Sequence, residues 1–221
     1  MTVRVLVIGG SDQGRQSIDV LEAGEGHEVV GVLDSRLPVG SSVAGHPIVG
    51  APDELLTCAQ ATRADGFLVA IGDNFARGSL FEGARASCPD LEPVSAVHPR
   101  AVVAPDADLE PGALLMAGAV VSNGCRVGTG ALLGTNSSLD HDGTLGAFSS
   151  LGPGATTGGC VSIGSYSAVG LGANVIHGVM IGDHTILGAG ALALDDVPGS
   201  VIAYGAPARV VRQRRDDEPY L

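Results

Sequence analysis

The chain has 221 residues, 34 of them glycine, with no tryptophan and a formal charge of −12. It contains no lysine, which argues against a nucleic-acid or anionic-membrane surface, although backbone N–H groups and a few arginines could still hold a phosphate. No apolar run is long enough to cross a bilayer and no basic segment precedes a short apolar one, so a cytoplasmic location is expected.

Residues 3–8 read as a buried strand running into Gly9, Gly10, Ser11, Asp12, Gln13 and Gly14. The spacing then predicts a helix over 15–23, a strand over 29–33 ending at Asp34, an extended piece over 47–50 and a helix over 52–59. A third strand over 66–71 ends in Gly72–Asp73–Asn74, followed by a helix over 75–87 and a short strand over 93–96. Strand, glycine turn and helix in alternation give an α/β, Rossmann-like domain with a parallel sheet. Such sheets take ligands at the carboxyl ends of their strands, where the glycine turn, Asp34 and Gly72–Asn74 all fall. A nucleotide-type ligand is expected. The turn lacks the GxGxxG spacing, which argues against NAD, and glycines serving only a tight turn are the competing reading.

His98–Pro99 begins the link to the second part, so the domains are expected at 1–97 and 98–221. Residues 103–192 divide into fifteen six-residue units without insertion. The first position is Val, Leu or Ile in fourteen of them, Thr157 being the exception; the fifth is always small or β-branched, and the second is Gly in nine. A fixed short period means a solenoid, each unit burying its apolar residue against copies of itself. Three flat strands per turn give an eighteen-residue coil, and five coils stack to about 24 Å at β-strand spacing. The glycines are expected to permit positive φ where the chain turns. Pro198 and Pro207 should stop the ladder, and Arg209, Arg212, Arg214 and Arg215 make a basic end.

The period places the chemistry. His141 and His177 both take the third position of their units, two coils and about 10 Å apart, with Gly159 in the coil between. His141 stands in Leu139–Asp140–His141–Asp142, where an imidazole beside a carboxylate makes a general-base pair. Asp142 is the expected partner and Asp140 the competitor. A solvated surface role is expected for His177 and His184 and is the alternative for His141. Two histidines thirty-six residues apart superficially fit the zinc pattern of γ-class carbonic anhydrases, but His184 lies seven residues beyond His177, where that family has five. No metal is expected. The four cysteines, Cys125 and Cys160 included, read as small fillers, with none placed as a nucleophile beside His141.

VLVIGGSDQG, LDS, VAIGDN with Arg77, HPRAVVAP, NSSLDHDGTLG and VPGSVIAYGAPARVVR together resemble the bacterial hexapeptide-repeat sugar acetyltransferases. These include N-acetyltransferases for nucleotide-linked amino sugars of the bacillosamine and perosamine type and sialic acid O-acetyltransferases. The resemblance implies an all-β left-handed parallel β-helix after the Rossmann-like domain, a homotrimer, and acetyl-CoA in a groove between prisms. It implies direct transfer to a sugar amine, with His141 as base, Asp142 as its partner and the Gly159 N–H on the thioester oxygen, a term worth about 2.7–4 kcal/mol. Leu171 and Ala189 would contact the pantetheine arm, with Arg209 added to the cofactor contacts. Gly10, Ser11, Gln13, Gly14, Asp34, Gly72, Asn74 and Arg77 would cradle the nucleotide sugar. Gln13 and Ser150 stand where relatives often carry histidine. O-acetyl transfer to a sialic acid or other hydroxyl, and a non-catalytic sugar-nucleotide-binding scaffold, are the alternatives.

Overall fold

Apolar strands covered on both faces build the first part of the chain in the computed structural model, which describes residues 2–220. Its elements are β1 (Val3–Ile8), α1 (Asp12–Ala23), β2 (His27–Leu33), β3 (Ser42–Val43), β4 (His46–Gly50), α2 (Leu55–Thr62), β5 (Gly66–Val69), α3 (Asn74–Ser87) and β6 (Glu92–Pro93). The sheet order is β3-β4-β2-β1-β5-β6, parallel except for the β3–β4 hairpin. β1 has β2 on one side and β5 on the other, so the crevice of the switch point opens at their carboxyl ends. The strand expected over 93–96 is split. Glu92–Pro93 pairs with Gly66–Phe67, whereas Ala96–Val97 pairs with Leu114–Leu115 in the second part, because the chain crosses from one ladder to the other at Val94–Ser95.

The second part is a left-handed parallel β-helix whose two-residue strands occupy the sixth and first positions of successive units. Each strand pairs with the one eighteen residues on, as in Leu114 with Leu132, Val120 with Ser138 and Arg126 with Thr144. Three flat faces result. The first carries Leu114, Leu132, Ser150, Ala168 and Ile186, the second Val120, Ser138, Thr156 and Asn174, and the third Arg126, Thr144, Ser162 and Met180. First-position side chains such as Leu133, Leu151, Val169 and Leu187 point inward and are fully buried, with the small fifth position beside them. The ladder runs one rung past Pro198, since Val201–Tyr204 pairs with Ile186–Leu187 before antiparallel Arg209–Gln213 closes it.

Positive φ falls at the fourth position, on every sixth residue from Gly112 to Gly190, and not on the repeated second-position glycines. Those glycines serve close approach instead: a Cβ at Gly134 would lie 2.7 Å from the Pro153 nitrogen one coil on, and one at Gly146 2.6 Å from the Ser165 nitrogen.

Candidate active site

His141 sits on the corner between the second and third faces. Its Nδ1 lies 2.9 Å from Asp142 Oδ2, so Asp142 is the partner. Asp140 is spent on the backbone: its Oδ1 accepts the His141 N–H at 2.8 Å, and its own N–H donates to Thr157 Oγ1 at 3.0 Å. Thr157 thus breaks the aliphatic pattern because its hydroxyl takes an N–H from the coil before. The Asp142 hydrogen bond raises the His141 pKa above its ordinary value, partial desolvation opposing and the charges of Asp140 and Asp142 assisting. With Nδ1–H donated to Asp142, the neutral ring carries its lone pair on Nε2.

Gly159, one coil on, makes room for that ring. A Cβ there would fall 2.2 Å from His141 Nε2 and 2.3 Å from Cε1. Among the described residues the Gly159 N–H has no acceptor. The imidazole leans over this glycine, so its centroid is 5.9 Å from that of His177, well inside the 10 Å that the coil spacing predicts. Cys160 is also unlike the expectation. It is an exposed free thiol, and its sulfur, one His141 ring nitrogen and an Asp142 carboxylate oxygen all lie within 4.8 Å of one another. Cys125 is the buried filler expected, its thiol donating to the Asp140 carbonyl at 3.0 Å. His184 belongs to another corner, stacked on Tyr166 at 4.9 Å.

Leu171 and Ala189 lie on the corner between the first and second faces, at the far end of the second face from His141. Their N–H groups have no acceptor among the described residues. They line a cavity of about 550 Å3 that also meets Gln13 and Gly72 of the α/β part, Ser150, Tyr204 and Tyr220. Tyr220 donates its hydroxyl to the Gly72 carbonyl at 3.2 Å and lies 3.3 Å from Ser150 Oγ. Gln13 and Ser150, which depart from the family pattern, therefore share one cavity. Arg209 is exposed and pairs with no acid among the described residues, whereas Arg212 and Arg215 pair with Glu218 and Asp217 and Arg214 is buried.

Several residues expected in a nucleotide-sugar cradle serve the fold. Asp34 accepts the N–H groups of Gly10, Arg36 and Leu37 at 2.8, 2.8 and 3.1 Å. Burial acts to raise its pKa, but the three N–H groups and the charge of Arg36 together outweigh burial and the net shift is downward. Its carboxylate thus occupies the Gly10 N–H that a phosphate would use. A Cβ at Gly14 would lie 2.1 Å from the Gly9 carbonyl oxygen, so Gly14 lets α1 pack on the turn. Ser11 stays exposed.

Arg77 and Asn74, also expected in the cradle, have their side chains buried inside the fold. Arg77 is 1 % exposed and donates to the carbonyls of Gly130, Ile71, Gly72, Phe148 and Ser149 and to Asn74 Oδ1. Asn74 in turn donates to the Ser167 carbonyl at 2.9 Å. Burial pushes the guanidinium pKa down to about 10, which leaves it charged at neutral pH. The pair clamps α3 to a column that the sequence reading missed: Gly130, Phe148, Tyr166 and His184, each eighteen residues after the last. Phe148 and Tyr166 centroids are 5.2 Å apart, and Phe81 of α3 meets Phe148 at 5.4 Å.

The family model of the PglD N-terminal domain matches residues 4–84. Solved structures resemble nearly the whole chain. The H141N variant of perosamine N-acetyltransferase from Caulobacter crescentus, in complex with CoA and GDP-perosamine, is 37 % identical, with 95 % of this chain and 97 % of that chain covered and a TM-score of 0.88. The acetyltransferase domain of PglB from Neisseria gonorrhoeae, in complex with acetyl coenzyme A, is 30 % identical over 96 % of this chain and 100 % of that one, with a TM-score of 0.88. WeeI from Acinetobacter baumannii shares the fold at 21 % identity, over 95 % and 100 % of the two chains and with a TM-score of 0.82. No curated protein matches the chain. Among the described residues, no helix is long and apolar enough to cross a membrane.

Proposed function

The chain belongs to the hexapeptide-repeat sugar acetyltransferases, and from that premise we propose that it transfers the acetyl group of acetyl-CoA to the amine of a nucleotide-linked amino sugar. The observation that carries this reading is the His141–Asp142 pair at 2.9 Å, its ring held over Gly159. As the amine attacks the acetyl carbonyl, Nε2 takes the amine proton, the C–N bond forms and the C–S bond breaks, with CoA leaving as the thiol. Asp142 fixes the tautomer and steadies the imidazolium, and the free N–H of Gly159 meets the oxygen as it gains charge. The Caulobacter crescentus protein has been solved as H141N and H141A variants with CoA and GDP-perosamine, which supports the role of His141.

Residues 1–97 would hold the nucleotide sugar and residues 98–221 the acetyl donor. The free N–H groups of Leu171 and Ala189, with exposed Arg209 on the strand paired to Tyr204, favour the cavity corner for CoA; Gln13 and Gly72 border it on the sugar side. Because this corner and His141 stand at opposite ends of one face, a complete site needs His141 from one copy and the cavity from the next, which supports a homotrimer. The test is turnover of GDP-, UDP- and dTDP-linked 4-amino sugars with acetyl-CoA, followed by chromatography of the acetylated product. His141→Asn should lower kcat by about 10²–10⁴ while the circular dichroism stays unchanged. Turnover of that variant near the wild-type rate removes His141 as the base.

A further inference from the structure

We propose that His141, Asp142 and Cys160 form a binding site for a thiophilic divalent cation, zinc above all, and that its occupation silences acetyl transfer. Asp142 and Cys160 hold the same fourth position one coil apart. Both are left-handed, at φ 56° and 58°, so their side chains leave the corner in the same direction. Gly124 and Gly178 flank them in that column and add no side chain above or below. The Cys160 sulfur, an Asp142 oxygen and one His141 nitrogen lie within 4.8 Å of one another, and the Cys160 thiol has no hydrogen-bond partner among the described residues.

Zinc takes sulfur, nitrogen and oxygen donors at about 2.0–2.3 Å in a tetrahedron, which sets the donors about 3.5 Å apart. Drawing these three together asks only for side-chain rotation. The His141 and Asp142 side chains are 43 % and 62 % exposed, and Cys160 is exposed too. Thiolate and imidazole in one set favour zinc over magnesium or calcium. The fourth position would face solvent.

Such a site opposes catalysis. A neutral imidazole has a single lone pair, and a metal on either nitrogen leaves the other protonated. With zinc on Nε2 the base is occupied; with zinc on Nδ1 the base nitrogen carries hydrogen and the Asp142 hold is lost. The inhibitory half of the proposal rests on the base assignment made above; the binding half does not.

The test has two arms, both on the full chain. In the first, cobalt(II) is titrated into the protein. One equivalent should produce thiolate-to-cobalt charge-transfer absorption that is absent in Cys160→Ser and weakened in His141→Asn. In the second, zinc is titrated into the acetyl-transfer reaction without added thiol, and initial rates are read by chromatography. Cys160→Ser should keep its basal turnover and need about tenfold more zinc or more for half-inhibition, since losing even an outer-shell partner costs a site that much. A missing thiolate band, a band that survives Cys160→Ser, zinc-loaded enzyme turning over at full rate, or equal inhibition of both proteins overturns the proposal. If no acceptor is turned over at all, the functional reading fails by itself and the cobalt band still decides the site.

Discussion

Gly159→Ala tests whether the position of the His141 ring carries the reaction. The added Cβ would fall 2.2 Å from Nε2, 2.3 Å from Cε1 and 2.7 Å from Cδ2. Carbon contacts relax at about 3.5–4.0 Å, so the ring must move away by more than an ångström. The backbone itself is not at fault: Gly159 lies outside the positive-φ positions, and its N–H survives the change. A displacement of about 1 Å at a reacting group can cost 10²-fold in rate, and a loss of about that size is expected in kcat. The melting temperature should barely change, because the three nearest atoms met all belong to a half-exposed side chain. Gly158→Ala is the control: its Cβ would strike the His177 backbone nitrogen at 2.6 Å, so stability falls there. Rates from product chromatography over a range of both substrates, beside thermal melts, separate the two. A Gly159→Ala enzyme with wild-type kcat would show that the ring need not sit over this glycine, and the proposed geometry of attack would fall.

The pH profile gives a second check. A base works when neutral, and the Asp142 hydrogen bond raises the His141 pKa, so the acid limb of kcat/KM should lie on the alkaline side of an ordinary histidine's, about 6.5. Asp142→Asn should move that limb to lower pH and reduce kcat, since the tautomer is no longer fixed; a limb that stays in place assigns it to another group. Arg77→Met should cost about 3 kcal/mol or more in urea unfolding, because the carbonyls of Gly130, Phe148 and Ser149 lose their donor. The KM for the nucleotide sugar should hold in that variant under conditions where it remains folded; a large rise in KM without loss of stability would return Arg77 to the cradle.

The period was legible because each unit carries its own evidence: one inward aliphatic residue, one small residue and one turn. The same period placed His141 above its glycine neighbour in the next coil. What it could not supply was side-chain direction. The ring leans along the column, which is why two imidazoles expected about two coils apart, near 10 Å, approach to 5.9 Å. Nor did the pattern reveal which glycines bend the chain and which admit the next coil, since both appear only as a missing side chain. The α/β part was readable as alternating elements. The fate of its polar residues was not, because Asp34 and Arg77 look alike as ligand contacts or as clamps until their partners are known. The Phe148–Tyr166–His184 column did have a signal, an eighteen-residue recurrence of large residues at the fourth position.

The separation of two corners in one chain leads to a complementation experiment. Pro153 already occupies the column of Leu171 and Ala189, one coil earlier, and follows Gly152 as Leu171 follows Gly170. Leu171→Pro therefore removes a candidate pantetheine N–H from a place where the fold accepts proline. Alone, this variant should lose acetyl-CoA affinity and His141→Asn should lose kcat. In a closed ring each site would take its histidine from one copy and its cavity corner from the next. Equal mixing of the two variants, with unfolding and reassembly, then makes a fully native site only where a Leu171→Pro copy lends its His141 to a His141→Asn copy. Random assembly does so at about a quarter of the sites, so about a quarter of wild-type activity should return. Mixtures no more active than the sum of their parts would mean that both groups act within one chain. Since they stand at opposite ends of a face, one of the two would then have no part in the reaction.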